Sequence, residues 1–211
     1  MRALFPRSAV GLLALSYALA GPAVADDLPA GKPSRAPLEH CAWERVADRQ
    51  LGLAAWVQRC DYGFRKIDFL VQGSTLAQRF SDGGAPEPVI DVFDLQPGES
   101  PEAGIKRIFA EHGDAAVARR CVPARWKHGK TPPGRIRTTF VPDASYAKEL
   151  KRKARADEVP DPPCGAYGEA PDGIQYFESQ PQSGVAKILF VRVGQDEPLF
   201  DEQTLTLLPP G

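Results

Sequence analysis

The stretch Leu53–Val71, LAAWVQRCDYGFRKIDFLV, decides how this 211-residue chain is expected to fold. Apolar side chains recur at every second position over Leu53–Val57 and again over Ile67–Val71, which is the period of a strand that buries one face. Between the two runs, Asp61-Tyr62-Gly63 supplies residue types that favour a tight turn. The stretch therefore predicts an antiparallel hairpin, with Cys60 at the joint between strand and turn.

Further short apolar runs follow the hairpin and predict a meander. Leu76–Phe80 and Val89–Phe93 are separated by Ser81–Gly84, whose glycines tolerate the positive φ of a reverse turn. More strands are expected at Ala116–Val122, Arg135–Val141, Ile174–Glu178, Val185–Val193 and Thr204–Leu208. Both faces of Val185–Val193 are largely apolar, which is typical of a strand in the centre of a sheet.

Two segments have a helical period instead. Ser100 is suited to cap a helix over 101–112, and Asp143 to cap a second, strongly basic helix over about 144–155. The segment Leu38–Gln50 is expected to be a short helical or irregular entry to the hairpin. Together these patterns predict an α+β fold, built on a mainly antiparallel β-sheet or a partly closed barrel with two short helices.

Residues 1–25 have the features of a secretory signal peptide. Two arginines precede an apolar run over Ala9–Ala20, and small residues stand where a signal peptidase reads, so cleavage is expected before Asp26. Residues 26–37 are rich in proline and charge, which predicts a disordered leader. Residues 38–211 are then expected to form a single domain, with no membrane span after cleavage.

All four cysteines follow this export signal, and an even count in an exported chain predicts two disulfides. Their spacing matches neither a redox motif nor a metal site. We favour the pairs Cys41–Cys60 and Cys121–Cys164 over the other possible connectivities, because each bridge then closes a local unit. Signal and cysteines together predict a periplasmic or secreted protein.

Charge is distributed unevenly along the chain, although the formal net charge is only −1. Residues 113–155 contain 12 Lys/Arg and 3 Asp/Glu, whereas residues 156–211 contain 10 Asp/Glu and 2 Lys/Arg. Either the two segments neutralise each other, or the basic residues form a surface for an acidic partner or polyanion. In the second case Arg125, Trp126 and Lys127 are candidate binding residues. The weakly acidic mature chain argues against nucleic acid as a partner.

No pattern in the sequence predicts catalytic residues, a metal site or a cofactor. The chain has three histidines, His40, His112 and His128. They stand singly and lack the spacing of metal ligands. Ser183-Gly184 fits a hairpin turn better than a nucleophile elbow. The acidic pairs Asp196-Glu197 and Asp201-Glu202 leave one alternative open, an enzyme that acts on envelope carbohydrate, although such pairs near a chain end are usually solvent-facing.

Two stretches resemble the periplasmic C-type lysozyme inhibitor family. The first is the hairpin motif Trp56-x-x-x-Cys60-x-x-Gly63-x-x-x-Ile67-x-Phe69, which is similar to the opening strands of that family. The second is Gly165-Ala166-Tyr167 followed by Asp172-Gly173-Ile174-Gln175-Tyr176-Phe177, which is similar to its inhibitory loop and the strand after it. The resemblance implies a small antiparallel barrel that blocks lysozyme by inserting a loop into its cleft. The chain departs from the family in carrying Cys164 where the loop serine would align.

The loop Cys164–Gly173, CGAYGEAPDG, is the candidate binding element of the last third of the chain. A predicted disulfide fixes its start, and proline and glycine favour a turn at its end. Tyr167 offers an aromatic anchor, and Glu169 and Asp172 offer acceptors; alternatively, Tyr167 only covers the sheet edge. The sequence therefore predicts a non-catalytic binding protein for a protein partner or cell-envelope polymer, such as an inhibitor or immunity-type protein directed at a cell-wall hydrolase.

Overall fold

The computed structural model describes residues 31–112, 118–127, 130–155, 164, 173–194 and 199–209. Within these ranges ten strands form one sheet. They are β1 (Cys41–Asp48), β2 (Leu53–Asp61), β3 (Lys66–Gln72), β4 (Thr75–Phe80), β5 (Glu87–Asp94), β6 (Cys121–Arg125), β7 (Ile136–Pro142), β8 (Gly173–Ser179), β9 (Lys187–Gly194) and β10 (Thr206–Leu207). The helices are α1 (Pro101–His112) and α2 (Ala144–Arg155), as the sequence predicts. The signal peptide predicted at residues 1–25 lies outside the described residues.

Neighbouring strands are antiparallel and follow the order β1-β2-β3-β4-β5-β9-β8-β7-β6. β10 lies outside this path and pairs with the start of β2, along the side that β1 does not use. The path has two ends, at β1 and β6, so the sheet is open and not a closed barrel. The structure confirms the predicted α+β class and the antiparallel sheet.

The hairpin predicted over Leu53–Val71 is present as β2 and β3, but the ladder of paired residues that joins these strands is short. It consists of the pairs Cys60–Ile67 and Asp61–Lys66. From Leu53 to Cys60, β2 pairs with β1. The turn between β2 and β3 therefore extends from a strand that is held in place by its pairing with β1.

The prediction of a helical or irregular segment at Leu38–Gln50 is wrong, because most of it forms β1. Trp43 and Val46 are three residues apart, which suits one side of a helix. In the strand they lie on opposite sides: Val46 stands opposite Ala55 and packs against the core, whereas Trp43 stands opposite Gln58. Pairing with β2 outweighs the local pattern, as is common for strands.

The strand predicted at Ala116–Val122 is also misplaced. Residues 119 and 120 form a turn, and β6 begins at Cys121. Pro123 is tolerated in β6 because this is an edge strand. The Trp126 N–H donates to the Arg137 carbonyl across the ladder. Main-chain N–H positions alternate in direction along a strand, so the nitrogen of Pro123 faces away from β7 and its lack of a hydrogen costs no ladder bond. The other predicted strands match the observed ones to within two residues at each end.

β9 occupies the middle of the sheet, as its two apolar faces predict. It pairs with β5 on one side and β8 on the other. Ile188 and Phe190 face the two helices, whereas Leu189 and Val191 face the opposite side, and none of the four is more than 2% exposed.

Each face of the sheet has its own hydrophobic core. On one face α1 and α2 cover a cluster that contains Ile105, Ile108, Phe109, Phe140, Tyr146, Phe177, Ile188 and Phe190. On the other face the sheet curls so that β2 and residues 199–208 close over β5, β8 and β9. This second cluster contains Leu53, Val57, Leu76, Ile90, Leu189, Val191, Phe200, Leu205 and Leu207.

Both predicted disulfides are present. Cys41–Cys60 joins β1 to β2 between residues that are direct partners in the ladder. Cys121–Cys164 ties the start of β6 to residue 164, and both of its cysteines are buried. The first bridge lies immediately before the turn between β2 and β3.

Residues 31–38 form an N-terminal strap along β1 and β2. Residues 31–37 belong to the segment for which the sequence predicts a disordered leader, yet hydrogen bonds attach them to the sheet. These bonds run from Trp56 Nε1 to the Gly31 carbonyl (2.6 Å), from Trp43 Nε1 to the Arg35 carbonyl (3.0 Å), from the Leu38 N–H to Gln58 Oε1 (2.6 Å) and from Ser34 Oγ to Asp201 Oδ1 (2.9 Å). Asp201 and Gln58 are buried and therefore depend on the strap for these partners.

Glu99 fixes the start of α1 to the end of β5. Its carboxylate accepts hydrogen bonds from Nε and Nη2 of Arg107, both at 2.9 Å, and from the Gln96 N–H at 2.9 Å. Arg107 Nη2 also donates to the Asp94 carbonyl at 3.2 Å. The bonds from Arg107 and then from Gln96 lower the pKa of Glu99 from its ordinary value of 4.5 to about 2.

We expect Leu189→Ala and Phe190→Ala each to destabilise the protein by about 2–5 kcal/mol, because each leaves a cavity in one of the two cores. Denaturant unfolding of the mature protein measures the effect. Val122→Ala, at a side chain that is 44% exposed, is the control and should change the unfolding midpoint little. Midpoints close to wild type for both core variants would contradict the central position of β9.

We expect Glu99→Gln to flatten the acid dependence of stability. The folded pKa lies below the unfolded one, so the contribution of Glu99 is complete above about pH 4.5 and is lost as the pH falls through about 2. Urea midpoints measured across this range test the prediction. Glu102→Gln, which removes an exposed carboxylate from the first turn of α1, is the control. An acid loss in Glu99→Gln as steep as in wild type would argue against it.

Candidate binding site

A buried ionic network links β7, β8 and the segment after β9. Pairing of β7 with β8 places Arg137 opposite Glu178, and both are almost completely buried. Arg137 Nε donates to Glu178 Oε2 at 2.7 Å. Arg135 Nη1 and Gln180 Nε2 donate to the other oxygen at 3.3 and 2.9 Å. Arg137 Nη1 reaches Glu202 Oε2 at 3.1 Å, which adds a second carboxylate to the network.

Tyr176 completes this network. Its hydroxyl donates to Glu202 Oε2 at 2.6 Å, and the guanidinium of Arg137 lies 4.5 Å from the centre of its ring. Burial, and then the negative charge of Glu202, raise the pKa of Tyr176 far above its ordinary value. Trp126 packs against the same tyrosine, with ring centres 4.9 Å apart. Tyr176 therefore stays protonated and acts as a donor.

The network is suited to holding the fold together and poorly suited to catalysis. Two arginines face two glutamates, so the charges balance, and Glu178 already accepts three hydrogen bonds. A carboxylate with no exposed surface cannot reach a sugar. The pair Asp201-Glu202 is also divided: Asp201 is buried and accepts bonds from Ser34 and the Gln203 N–H. The expectation that this acidic pair faces solvent is thus wrong for Asp201.

The residues predicted to form a basic binding site are not brought together as a unit. Arg125 and Lys127 are exposed at the end of β6, but Trp126 between them turns toward Tyr176. Arg135 and Arg137 are taken up by Glu178 and Glu202, so part of the basic segment is neutralised by the acidic last third. The predicted site residues Tyr167, Glu169 and Asp172 lie outside the described residues, as do His128, Asp196, Glu197 and the side chain of His112.

The turn between β2 and β3 presents Phe64 to solvent. This ring is 86% exposed, more than any other large hydrophobic side chain among the described residues. It stands at the tip of Asp61–Lys66, hereafter the Phe64 turn. Burial of such a ring is worth about 1.5–3 kcal/mol, and the fold itself gains little of this free energy from Phe64.

Hydrogen bonds within the Phe64 turn fix its shape. The Tyr62 N–H donates to the Arg65 carbonyl at 3.0 Å, and the Gly63 N–H donates to Asp61 Oδ1 at 3.0 Å. Gly63 has φ 80°, a conformation that favours glycine. The Lys66 ammonium lies 2.8 Å from Asp61 Oδ2, and the bonds from Lys66 and Gly63 lower the pKa of Asp61.

Neighbouring elements hold the same turn from both sides. The Asp61 N–H donates to the His40 carbonyl (2.9 Å), one residue from the Cys41–Cys60 bridge. On the β3 side the Lys66 N–H donates to Ser81 Oγ at 2.8 Å. The Arg65 guanidinium lies 3.9 Å from the centre of the Phe80 ring and 3.2 Å from Asp82. Phe64 is therefore a free ring on a fixed support.

Sequence analysis missed Phe64, because the turn there is assigned from its glycine and its charged neighbours. The one available signal was an aromatic residue directly after a turn glycine, outside the alternation of either strand. The 86% exposure of Phe64 depends on the path of the surrounding strands and cannot be read from that pattern.

Comparison with known proteins found no match: no family model fits the chain, and neither a curated protein nor a solved structure shows significant similarity. Among the described residues, no group of three His, Cys, Asp or Glu side chains is placed to hold a metal ion. The described helices are too short or too polar to cross a membrane.

We expect Glu178→Leu to destabilise the protein by about 3–5 kcal/mol, because it leaves Arg137 buried without its main counter-ion. The double variant Arg137→Met/Glu178→Leu should recover much of this loss, since it removes both buried charges together. Urea unfolding of the single and double variants measures the difference. A double variant that is as unstable as the sum of the two single variants would contradict the interpretation.

Proposed function

We propose that this protein is a non-catalytic, periplasmic or secreted binding protein that docks the Phe64 turn into a cleft of a protein partner. The observation that carries the proposal is the 86% exposed ring of Phe64 on a turn fixed by a disulfide, a salt bridge and main-chain hydrogen bonds. Within the Phe64 turn, the ring of Phe64 is the large apolar side chain that the fold leaves almost fully exposed.

The rigidity of the Phe64 turn favours recognition in energetic terms. Ordering a flexible loop on binding costs about 0.5–1.5 kcal/mol per immobilised side chain, and a turn that is already ordered avoids most of this cost. Aromatic side chains in desolvated pockets supply much of the energy of protein interfaces. A single protruding ring fits a concave surface on the partner, because a flat surface would leave most of the ring in water.

A cell-wall hydrolase is the partner class that we favour. Such an enzyme has a substrate cleft, and a binder that fills the cleft acts as an inhibitor or immunity-type protein. The hairpin motif over Trp56–Phe69 resembles the lysozyme inhibitor family, and this resemblance supports the choice. The predicted export signal would place the protein in the compartment of such enzymes. The buried state of Glu178 gives no support to the alternative of a carbohydrate-acting enzyme.

We expect Phe64→Ser to abolish capture of the partner while leaving the fold intact. Mature wild-type and variant proteins would be immobilised side by side and exposed to one envelope extract. Ile136→Ser is the matched control, because Ile136 is 46% exposed on β7, which neighbours the end strand β6 and is far along the sheet path from β2 and β3. A species retained by wild type and Ile136→Ser but not by Phe64→Ser supports the proposal.

The affinity of each variant for the captured species then measures how much binding free energy the Phe64 ring contributes. Loss of the Phe64 ring should weaken binding by about 2 kcal/mol or more, as for an interface hot spot, with an unchanged unfolding midpoint. Tyr167→Ala, measured in parallel, tests the alternative binding loop predicted from the sequence. Full affinity in Phe64→Ser would contradict the proposed docking element, and inhibition assays with C-type lysozyme test the partner class directly.

A further inference from the structure

A second surface feature, separate from the Phe64 turn, is a group of exposed cations at the β6 end of the sheet. We call it the basic edge and define it by Arg119, Arg125, Lys127, Lys148 and Lys151. All five are exposed, and none of them forms an ion pair with another described residue. Most other exposed arginines and lysines of β2, β3, β4 and α1 are paired with carboxylates.

Arg125, Lys148 and Lys151 of the basic edge lie on the side of the sheet that carries the helices. Cys121 of β6 packs in the same cluster as Tyr146 of α2, so that face of β6 carries the helix. Arg125 is four residues after Cys121 and, by the alternation of a strand, projects from the same face. Arg120, next to Arg119, forms an ion pair with Glu149 of α2 and stacks over the Tyr146 ring.

Lys148 and Lys151 are three residues apart and therefore lie on neighbouring positions of the α2 surface. β6 itself is about 13 Å long at roughly 3.3 Å per residue, and Arg119 and Lys127 lie beyond its two ends. The cations thus form an elongated row and do not converge on a single point. A row of this kind matches a chain of repeated anions better than one small anion.

The local charge is large because the acidic residues of the region are few. Residues 118–127 and 130–155 contain 12 Lys/Arg and 2 Asp/Glu. Arg135 and Arg137 belong to the buried network and do not contribute to this surface. The excess that remains is carried by the outer side of α2 and by β6 with its flanking turns.

We propose that the basic edge binds a linear cell-envelope polyanion through its repeated phosphate or carboxylate groups. Lysine and arginine side chains at the surface attract such groups by charge, release their counter-ions and need no shaped pocket. Pro123 removes a main-chain donor from the outer side of β6, so this edge is disfavoured for pairing with a strand of another chain. Binding there is through side chains.

The proposal is independent of the Phe64 turn, which belongs to β2 and β3. A binder that is held on an envelope polymer by one surface keeps the other surface available for a protein partner. The two surfaces can therefore be tested separately in the same mature protein.

The test measures binding of the mature protein to three soluble polymers at several salt concentrations. Polyphosphate carries repeated phosphates, polygalacturonate carries repeated carboxylates, and dextran is the neutral control. The test variant is Arg125→Gln/Lys148→Gln/Lys151→Gln. The matched control, Arg45→Gln/Arg79→Gln/Lys106→Gln, removes the same charge from β1, β4 and α1. Phe64→Ser is included to show that the two surfaces act independently.

We expect binding of wild type to polyphosphate, polygalacturonate or both, with affinity that falls steeply as salt rises. The basic-edge variant should bind at least about tenfold more weakly at low salt, with a salt slope reduced by roughly 2 to 3, because each lost contact removes somewhat less than one released counter-ion. The control variant and Phe64→Ser should bind like wild type. Preference between the two polymers identifies the anionic group.

Two outcomes would overturn the proposal. One is absence of salt-sensitive binding to either anionic polymer by the wild-type protein. The other is an equal loss in the basic-edge variant and the matched control, which would mean that net charge alone determines binding. Unfolding midpoints of both triple variants, measured beforehand, show that each is folded under the conditions of the assay.

Discussion

The bridge between Arg137 and Glu178 determines much of the rest of the fold. A carboxylate with no exposed surface is tolerated only when donors satisfy it, and here three donors converge on Glu178 from Arg135, Arg137 and Gln180. The same arginines bind the carbonyl of Glu202, which draws residues 199–208 over the sheet. Gln180 in turn bonds Leu205 and Leu207, and these residues enter the core beside β2. A local ion pair is thus coupled to the closure of an entire face.

Closure of that face explains why β9 can be apolar on both sides. One side packs under the curled sheet and the other under α1 and α2, so neither row of side chains meets water. Two surface features lie outside both cores, one at the turn between β2 and β3 and one at the β6 edge. At β2 and β3 an apolar ring projects, and at β6 a row of cations remains. The edge strand itself is protected from pairing by Pro123.

The features that depend on local period could be predicted from the sequence. The hairpin at Cys60, both helices, the central position of β9 and the disulfides all follow from patterns within a few residues or from cysteine spacing, and the structure contains them. β1 could not be predicted, because its residues are ordered by pairing with β2. The Arg137–Glu178 bridge joins residues 41 positions apart. The exposure of Phe64 also depends on residues distant in sequence, because it is set by the strands that pack near the turn.

Charged and apolar side chains differ in how far the fold itself uses them. The charged residues of the Arg137–Glu178 network are satisfied by partners, and removing one partner leaves a buried charge, so these positions depend on one another. Phe64 is different because no contact in the fold depends on its ring, and replacing it with a polar residue should cost no stability. The proposed recognition role accounts for an exposed ring that the fold itself does not use. The cations of the basic edge are likewise not used by the fold: like charges there repel one another, and an anion between them would relieve that repulsion.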